Sequence, residues 1–194
     1  MASLAHHLYT MACNNAWANH RLLLACAKLS DGDFVTKRTS FFPSIKATLN
    51  HIVTVDWYYI DALDRAYRNE PPNHERDKFF DPEEPFDTVG ALSIEQHAAD
   101  RRLLTLCAGL TDADVDRPVP VVRREGVCME SATRLLAHLF EHQIHHRGQV
   151  HSMLSGTPVD PPQLDEFFCA NEAALRADEL AAIGLSEDSI WMPR

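Results

Sequence analysis

Eleven histidines stand in this chain of 194 residues, and five of them (His138, His142, His145, His146 and His151) fall within one short stretch. There, Ala132, Leu135, Leu139, His142, His146, Gln149 and Met153 recur at alternating steps of three and four, the period of one helical face. His142 and His146 thus take two successive places on a stripe that would otherwise carry aliphatic side chains. Residues four apart on a helix are neighbours, with Cβ atoms about 5–6 Å apart. Two imidazoles so placed can meet one cation, as the i, i+4 histidine pair of zinc proteases does. Burying two such rings without partners costs a few kcal/mol, and a shared cation removes that cost. A structural polar layer is the other use of the pair. His138 and His145 flank the stripe, and His151 turns toward solvent.

A catalytic site of the zinc type takes three protein ligands and keeps one position open, so a third donor must come from another helix. His51 is the leading candidate, because it borders the stripe Ile45, Leu49, Ile52, Asp56, Tyr59, Leu63 and Tyr67. His97, beside Gln96, is its rival. Asp56 lies within that stripe and needs a partner, either a histidine N–H or an arginine such as Arg147. Gln149 continues the histidine stripe by one turn, where it can hold a metal-bound water or a substrate. His145 and Asp56 complete the supporting candidates, and Glu141 faces away from the pair. The pattern designates no catalytic acid, base or nucleophile. Trp57, Tyr58 and Tyr59 read as core aromatics that can also wall a pocket.

Four segments with a helical hydrophobic period must position these groups. They span about 4–29, 44–68, 88–110 and 131–154, each roughly 35–39 Å long at 1.5 Å per residue. Asp31-Gly32-Asp33 stops the first, Pro71-Pro72 ends the second, and Ser155-Gly156-Thr157-Pro158 closes the fourth. Four amphipathic helices of matched length predict an all-α fold, a four-helix bundle over residues 1–157. Residues 158–194 form a C-terminal extension, packed on the bundle or trailing from it, with one short acidic helix near 164–180. Asn69 to Pro85 reads as an exposed connector. Val119 to Met129, around Arg123-Arg124-Glu125-Gly126, is compatible with a short hairpin. The long connections on either side of the third helix suggest crossovers rather than simple up-and-down order.

Composition narrows the function classes. Eighteen basic against 28 acidic residues leave a net charge of −10, which argues against a nucleic-acid coat and against a polybasic membrane-surface protein. No apolar run approaches the ~18 residues of a membrane-spanning helix. The five cysteines are scattered and form no C-x-x-C pair, so reduced thiols and a cytoplasmic location are expected. The first residues do not look like a signal or transit peptide. No P-loop, dinucleotide fingerprint or nucleophile elbow is present.

Three stretches resemble a known family. Leu49-Asn50-His51-Ile52-Val53-Thr54-Val55-Asp56-Trp57, His142-Gln143-Ile144-His145-His146-Arg147-Gly148-Gln149 and Asn15-Ala16-Trp17-Ala18-Asn19 are similar to segments of the DinB/YfiT-like family of small helical metalloproteins. The second stretch is the specific one, and the resemblance spans about residues 4–155. It implies a four-helix bundle holding a divalent ion, zinc or nickel, on three histidines, which by position are His51, His142 and His146. It also implies a homodimer acting on a small-molecule substrate. Relatives with a known role use a low-molecular-weight thiol in transfer or isomerisation, and others look like hydrolases. The resulting expectation is a metal-dependent enzyme of the thiol S-transferase type in stress response or detoxification. The alternatives are a metal-dependent hydrolase and a non-enzymatic metal-binding stress protein.

Overall fold

In a computed structural model describing residues 3–192, the chain is mostly helical. Its order is α1 (Leu4–Cys26), α2 (Asp31–Val35), α3 (Ile45–Arg68), α4 (Val89–Ala108), β1 (Pro118–Arg123), β2 (Gly126–Ser131), α5 (Ala132–Leu154), α6 (Ala173–Ala182) and α7 (Glu187–Trp191). Single 3-10 turns at Arg76–Phe79 and Ala170–Glu172 interrupt the connecting segments.

The helix starts are written locally. Ser3, Ser44, Thr88 and Ser131 each stand just before a long helix, and each side chain accepts a hydrogen bond from a backbone N–H of the first turn. Such caps satisfy donors the helix leaves orphaned and contribute about 1 kcal/mol each. α3 ends on Asn69, whose φ of 55° places it in the left-handed region, the usual way to close a last turn.

The four long helices pack pairwise. α1 lies against α4 and α5, and α3 lies against the same two helices. Two apolar clusters fill the space between them. One is built around Trp17, Ile60, Leu103, Leu136 and Leu139. The other, toward the opposite end of the helices, is built around Leu22, Ile45, Ile52, Leu92 and Val150. Each such buried side chain contributes roughly 1.5–3 kcal/mol. α3 and α5 run side by side through both clusters, and this brings the middle of one helix opposite the middle of the other.

Several expectations change. The short hairpin expected around Val119 to Met129 forms, with Pro118 opposite Ser131 and Arg123 opposite Gly126, so the fold is not purely α. Gly126, at φ 131°, takes a conformation open only to glycine at little cost. After α1, the chain from Asp31 does not simply stop but makes the short helix α2, capped by Ser30. The C-terminal helix expected at 164–180 begins only at Ala173, and a second short helix, α7, follows beyond that range. Gly184, at φ 78°, follows the end of α6, and Ser186 opens α7 with a reciprocal capping box.

The segment after Pro158 packs against α1. Phe167, Leu180 and Ile190 belong to the same apolar cluster as Trp17. Arg21 pairs with both Glu166 and Glu179 at 2.7 Å, and Trp17 Nε1 donates to Glu179. Among the described residues, no helix is long and apolar enough to cross a membrane.

Candidate metal centre

His51 comes from the middle of α3, and His142 and His146 come from the middle of α5. One ligand atom from each lies within 4.8 Å of the others, and the three could hold a metal ion. The Nε2 atoms of His51 and His142 are 2.9 Å apart. The ring centroids of His146 lie 4.7 Å from His51 and 4.4 Å from His142. His97, the rival third donor, is elsewhere: it pairs with His20 between α1 and α4.

The rings are suited to donate lone pairs. Burial lowers the pKa of His51 to about 4 and that of His142 to about 3, with the neighbouring imidazoles adding to the shift. Burial lowers that of His146 as well. All three are therefore neutral at pH 7. His146 Nδ1 lies 2.9 Å from Gln149 Oε1, an acceptor only, so Nδ1 carries the proton and Nε2 is left free. A hydrogen bond of this kind fixes the tautomer and orientation of a ligating histidine. Gln149 Nε2 in turn donates to His145 Nε2 at 3.0 Å. His145 is exposed and reaches the centre only through Gln149 and by ring contact with His146.

Whether a cation fits can be judged from the orphaned atoms. His142 Nδ1 is buried without a hydrogen-bond partner, and its Nε2 faces another neutral imidazole. Three uncharged nitrogen donors with so few protein partners are matched to a borderline divalent ion. A cleft of about 390 Å³ opens beside His51, lined by Phe42, Thr54, Phe80, Glu83 and Glu84 among others. Phe42 covers part of the cluster, its ring centroid 4.3 Å from that of His51 and 5.5 Å from that of His146.

Asp56 is not bound to a histidine, nor does it form a direct ion pair with Arg147, and both expected partnerships are corrected. Its Oδ2 accepts from Gln96 Nε2 at 2.8 Å and from Gln143 Nε2. Arg147 Nη1 donates to Gln143 Oε1, Asn15 Oδ1 and Asn19 Oδ1. The two asparagines and Gln96 donate to Asp100 Oδ1. A closed polar network therefore crosses all four long helices, with Gln143 at 0% exposure and Arg147 at 4%.

The buried centre of α5 runs through Leu136, Gln143, Arg147 and Val150, and the two histidines sit on its flank, with His142 only half-buried. That offset from the expected stripe keeps the centre near a cleft. Gln143, Arg147, Asn19 and Asp100 were missed as a set. Their signal was the presence of a polar residue in the apolar stripe of each earlier helix: Asn15, Asp56 and Gln96.

Burial pushes Asp100 up to about 8, with Asp56 adding to the shift, and pushes Asp56 up to about 6. Burial lowers Arg147 to about 10 against the pull of both carboxyls. Desolvation thus dominates throughout the network.

No curated protein sequence matches the chain. A DinB-like protein from Bacillus cereus ATCC 10987 shares its fold, with a TM-score of 0.57 and 15% identity over 77% of this chain and 89% of that one. The sequence model of the DinB family matches residues 4–179, which include every side chain of the histidine cluster and of the buried network. The chain belongs to the DinB family.

Proposed function

We propose that this protein is a divalent-metal-dependent enzyme of the thiol S-transferase type, acting on a small molecule in stress response or detoxification. His51, His142 and His146 are its metal ligands, zinc or nickel its ion, and a low-molecular-weight thiol its cosubstrate. The carrying observation is the convergence of three neutral imidazoles from α3 and α5 beside a cleft. Three donors is the number that catalytic sites use while leaving a position open, which favours an enzyme over a closed structural site.

When bound, the ion would stabilise a thiolate at neutral pH and so increase the population of the nucleophile. The protein's own groups would do the rest. Gln149 holds His146 in the tautomer that leaves Nε2 unprotonated. Phe42 and Phe80 give the cleft apolar walls that would exclude water from a hydrophobic electrophile. The closed network behind α5 fixes that helix, and hence the spacing of its two histidines.

We also read the four long helices as a four-helix bundle over residues 1–157, with 158–194 as an extension packed on it, and the protein as a cytoplasmic homodimer. The pairwise packing of the long helices supports the first, and the family resemblance supports the last.

Hydrolysis is the second reading. Of its expected bases, Asp56 is enclosed in the network and Glu141 is exposed on another face. His145, in ring contact with His146, keeps this reading in play. The deciding experiment incubates metal-loaded protein with several cellular thiols and an electrophile, beside ester and amide substrates. Thiol-dependent turnover that vanishes in His146→Ala supports the transferase. Absence of acceleration, with no thiol perturbing the metal spectrum, overturns it. Ester or amide turnover lost in the same variant supports the hydrolase.

A further inference from the structure

A second pair of imidazoles faces another cavity. His20 on α1 and His97 on α4 are both half-buried, and His20 Nδ1 lies 3.3 Å from His97 Nε2. The cavity beside them, about 290 Å³, lies between α1, α4 and the end of α6, where Ala182 and Ile183 complete its lining. Asp100, one helical turn after His97, lines the same cavity. Its Oδ2 is buried without a hydrogen-bond partner.

Three observations point to a cation. The separation of 3.3 Å is within hydrogen-bond reach, at its long end. It matches the about 3.3–3.4 Å expected for two imidazoles bound ~2.0–2.1 Å from one tetrahedral ion. Burial lowers both histidines' pKa values, so the pair presents lone pairs and not charge. Beside it sits an unpartnered carboxyl oxygen, and the chain carries a net charge of −10. The exposed Arg101 guanidinium also borders the cavity. It disfavours a hard, purely electrostatic ion such as calcium or magnesium, and leaves the imidazole-loving first-row metals.

We propose that His20 and His97 form a second divalent-metal site, separate from the histidine triad, that takes a borderline transition ion such as zinc. Only the triad brings three ligand atoms within 4.8 Å among the described residues, so Asp100 stands back from the pair. With two direct protein ligands the site is the weaker of the two and fills only at higher free metal. The C-terminal segment, through α6, closes the cavity over it.

The test uses the full-length, chelator-stripped protein, dialysed against excess Zn(II) and read by elemental analysis and by thermal melting. Wild type should hold about two ions per chain, since each site has its own donor set. The His51→Ala/His142→Ala protein should keep the weaker equivalent, and zinc should still raise its Tm. The His20→Ala/His97→Ala protein should keep only the tighter one. If that pair does not fold, His20→Gln/His97→Gln, which retains side chains able to hydrogen-bond, gives the same readout. Saturation of wild type at one ion overturns the proposal. So does a second equivalent that survives in the His20/His97 variants, because it would then lie on surface histidines. A tighter equivalent that persists in His51→Ala/His142→Ala, with the weaker one still lost in the His20/His97 variants, leaves this inference standing and sinks the triad assignment, so the two failures are distinguishable.

Discussion

His142 and His146 are each followed, one residue on, by Gln143 and Arg147, and the two pairs live in different solvents. The histidines sit on the flank of α5 beside a cleft, with few protein partners and lone pairs to offer. Gln143 and Arg147 sit at the centre of the helix's buried face, hydrogen-bonded into a network that spans four helices. One cluster is open to something from outside, and the other ties side chain to side chain across the helices, leaving only Asp56 Oδ1 and Asp100 Oδ2 without partners. A rotation of about 100° along the helix separates a binding site from a structural clasp. Chemistry is put where donor atoms converge beside a cleft, and rigidity where side chains from all four helices are tied together.

The largest effect should come from breaking the clasp. Arg147→Met leaves the buried oxygens of Asn15, Asn19 and Gln143 without their donor and Asp56 without a nearby cation, and removing one partner from such a cluster costs about 3–5 kcal/mol. Urea unfolding measures it. Replacing Asp100 by Leu in the same protein should not recover the loss, because Asn15, Asn19 and Gln96 then lose their acceptor as well. A cost below about 1 kcal/mol for Arg147→Met would show that the network is held by shape and not by charge.

His142→Ala should do the reverse. Its ring is half-buried and its Nδ1 has no partner to lose, so the metal-free fold should barely change. The tighter metal equivalent should be lost from the purified protein, as elemental analysis would show. Metal content equal to wild type would refute the ligand assignment. Gln149→Leu is milder. It removes only the group that orients His146, and loss of such a partner weakens metal binding about 10–100-fold. Competition with a chelator of known affinity reads the change, and an unchanged constant would mean that Gln149 does not set the tautomer.

The two regions also differ in how plainly the sequence shows them. The ligand pair was visible because histidine at i and i+4 in an apolar period is a short-range pattern. The long helices were visible for the same reason, with their boundaries marked by Ser44, Thr88 and Ser131 as caps. The third ligand was less plain, although His51 led because it borders its helix's stripe and matches the family segment. His97, beside Gln96, has a similar local setting, and the packing of α3 on α5 is what sets the two apart in space. The network was half visible, as one polar residue in each apolar stripe, but its wiring depends on how the helices rotate against each other. That rotation moved the centre of α5 from His142 to Gln143. The C-terminal helices were misjudged because Gly184 and Ser186, a stop followed by a start, fall beyond the point where the apolar period was read as ending.

Acidity separates the two regions by sign. In metal-free protein the triad's imidazoles have depressed pKa values, about 4 for His51 and about 3 for His142. The unfolded chain takes up their protons first, so stability falls as pH drops below the ordinary histidine value of about 6.5. The carboxyls are shifted the other way, Asp56 to about 6 and Asp100 to about 8. Their contribution is complete below the ordinary aspartate value and is lost as pH rises through those raised values. Between about pH 4 and 6.5 the two slopes oppose each other. Above about 6.5 the imidazoles are neutral whether folded or not, and Asp100 is left to set the slope. Urea unfolding of metal-free protein should therefore show stability declining from pH 6.5 to 8.5. Asp100→Asn, which keeps the shape and cannot ionise, should flatten that limb and, with an opposing slope removed, steepen the acid limb. An equal decline in the variant would place the titrating group elsewhere and remove Asp100 as the reason the clasp loosens in base.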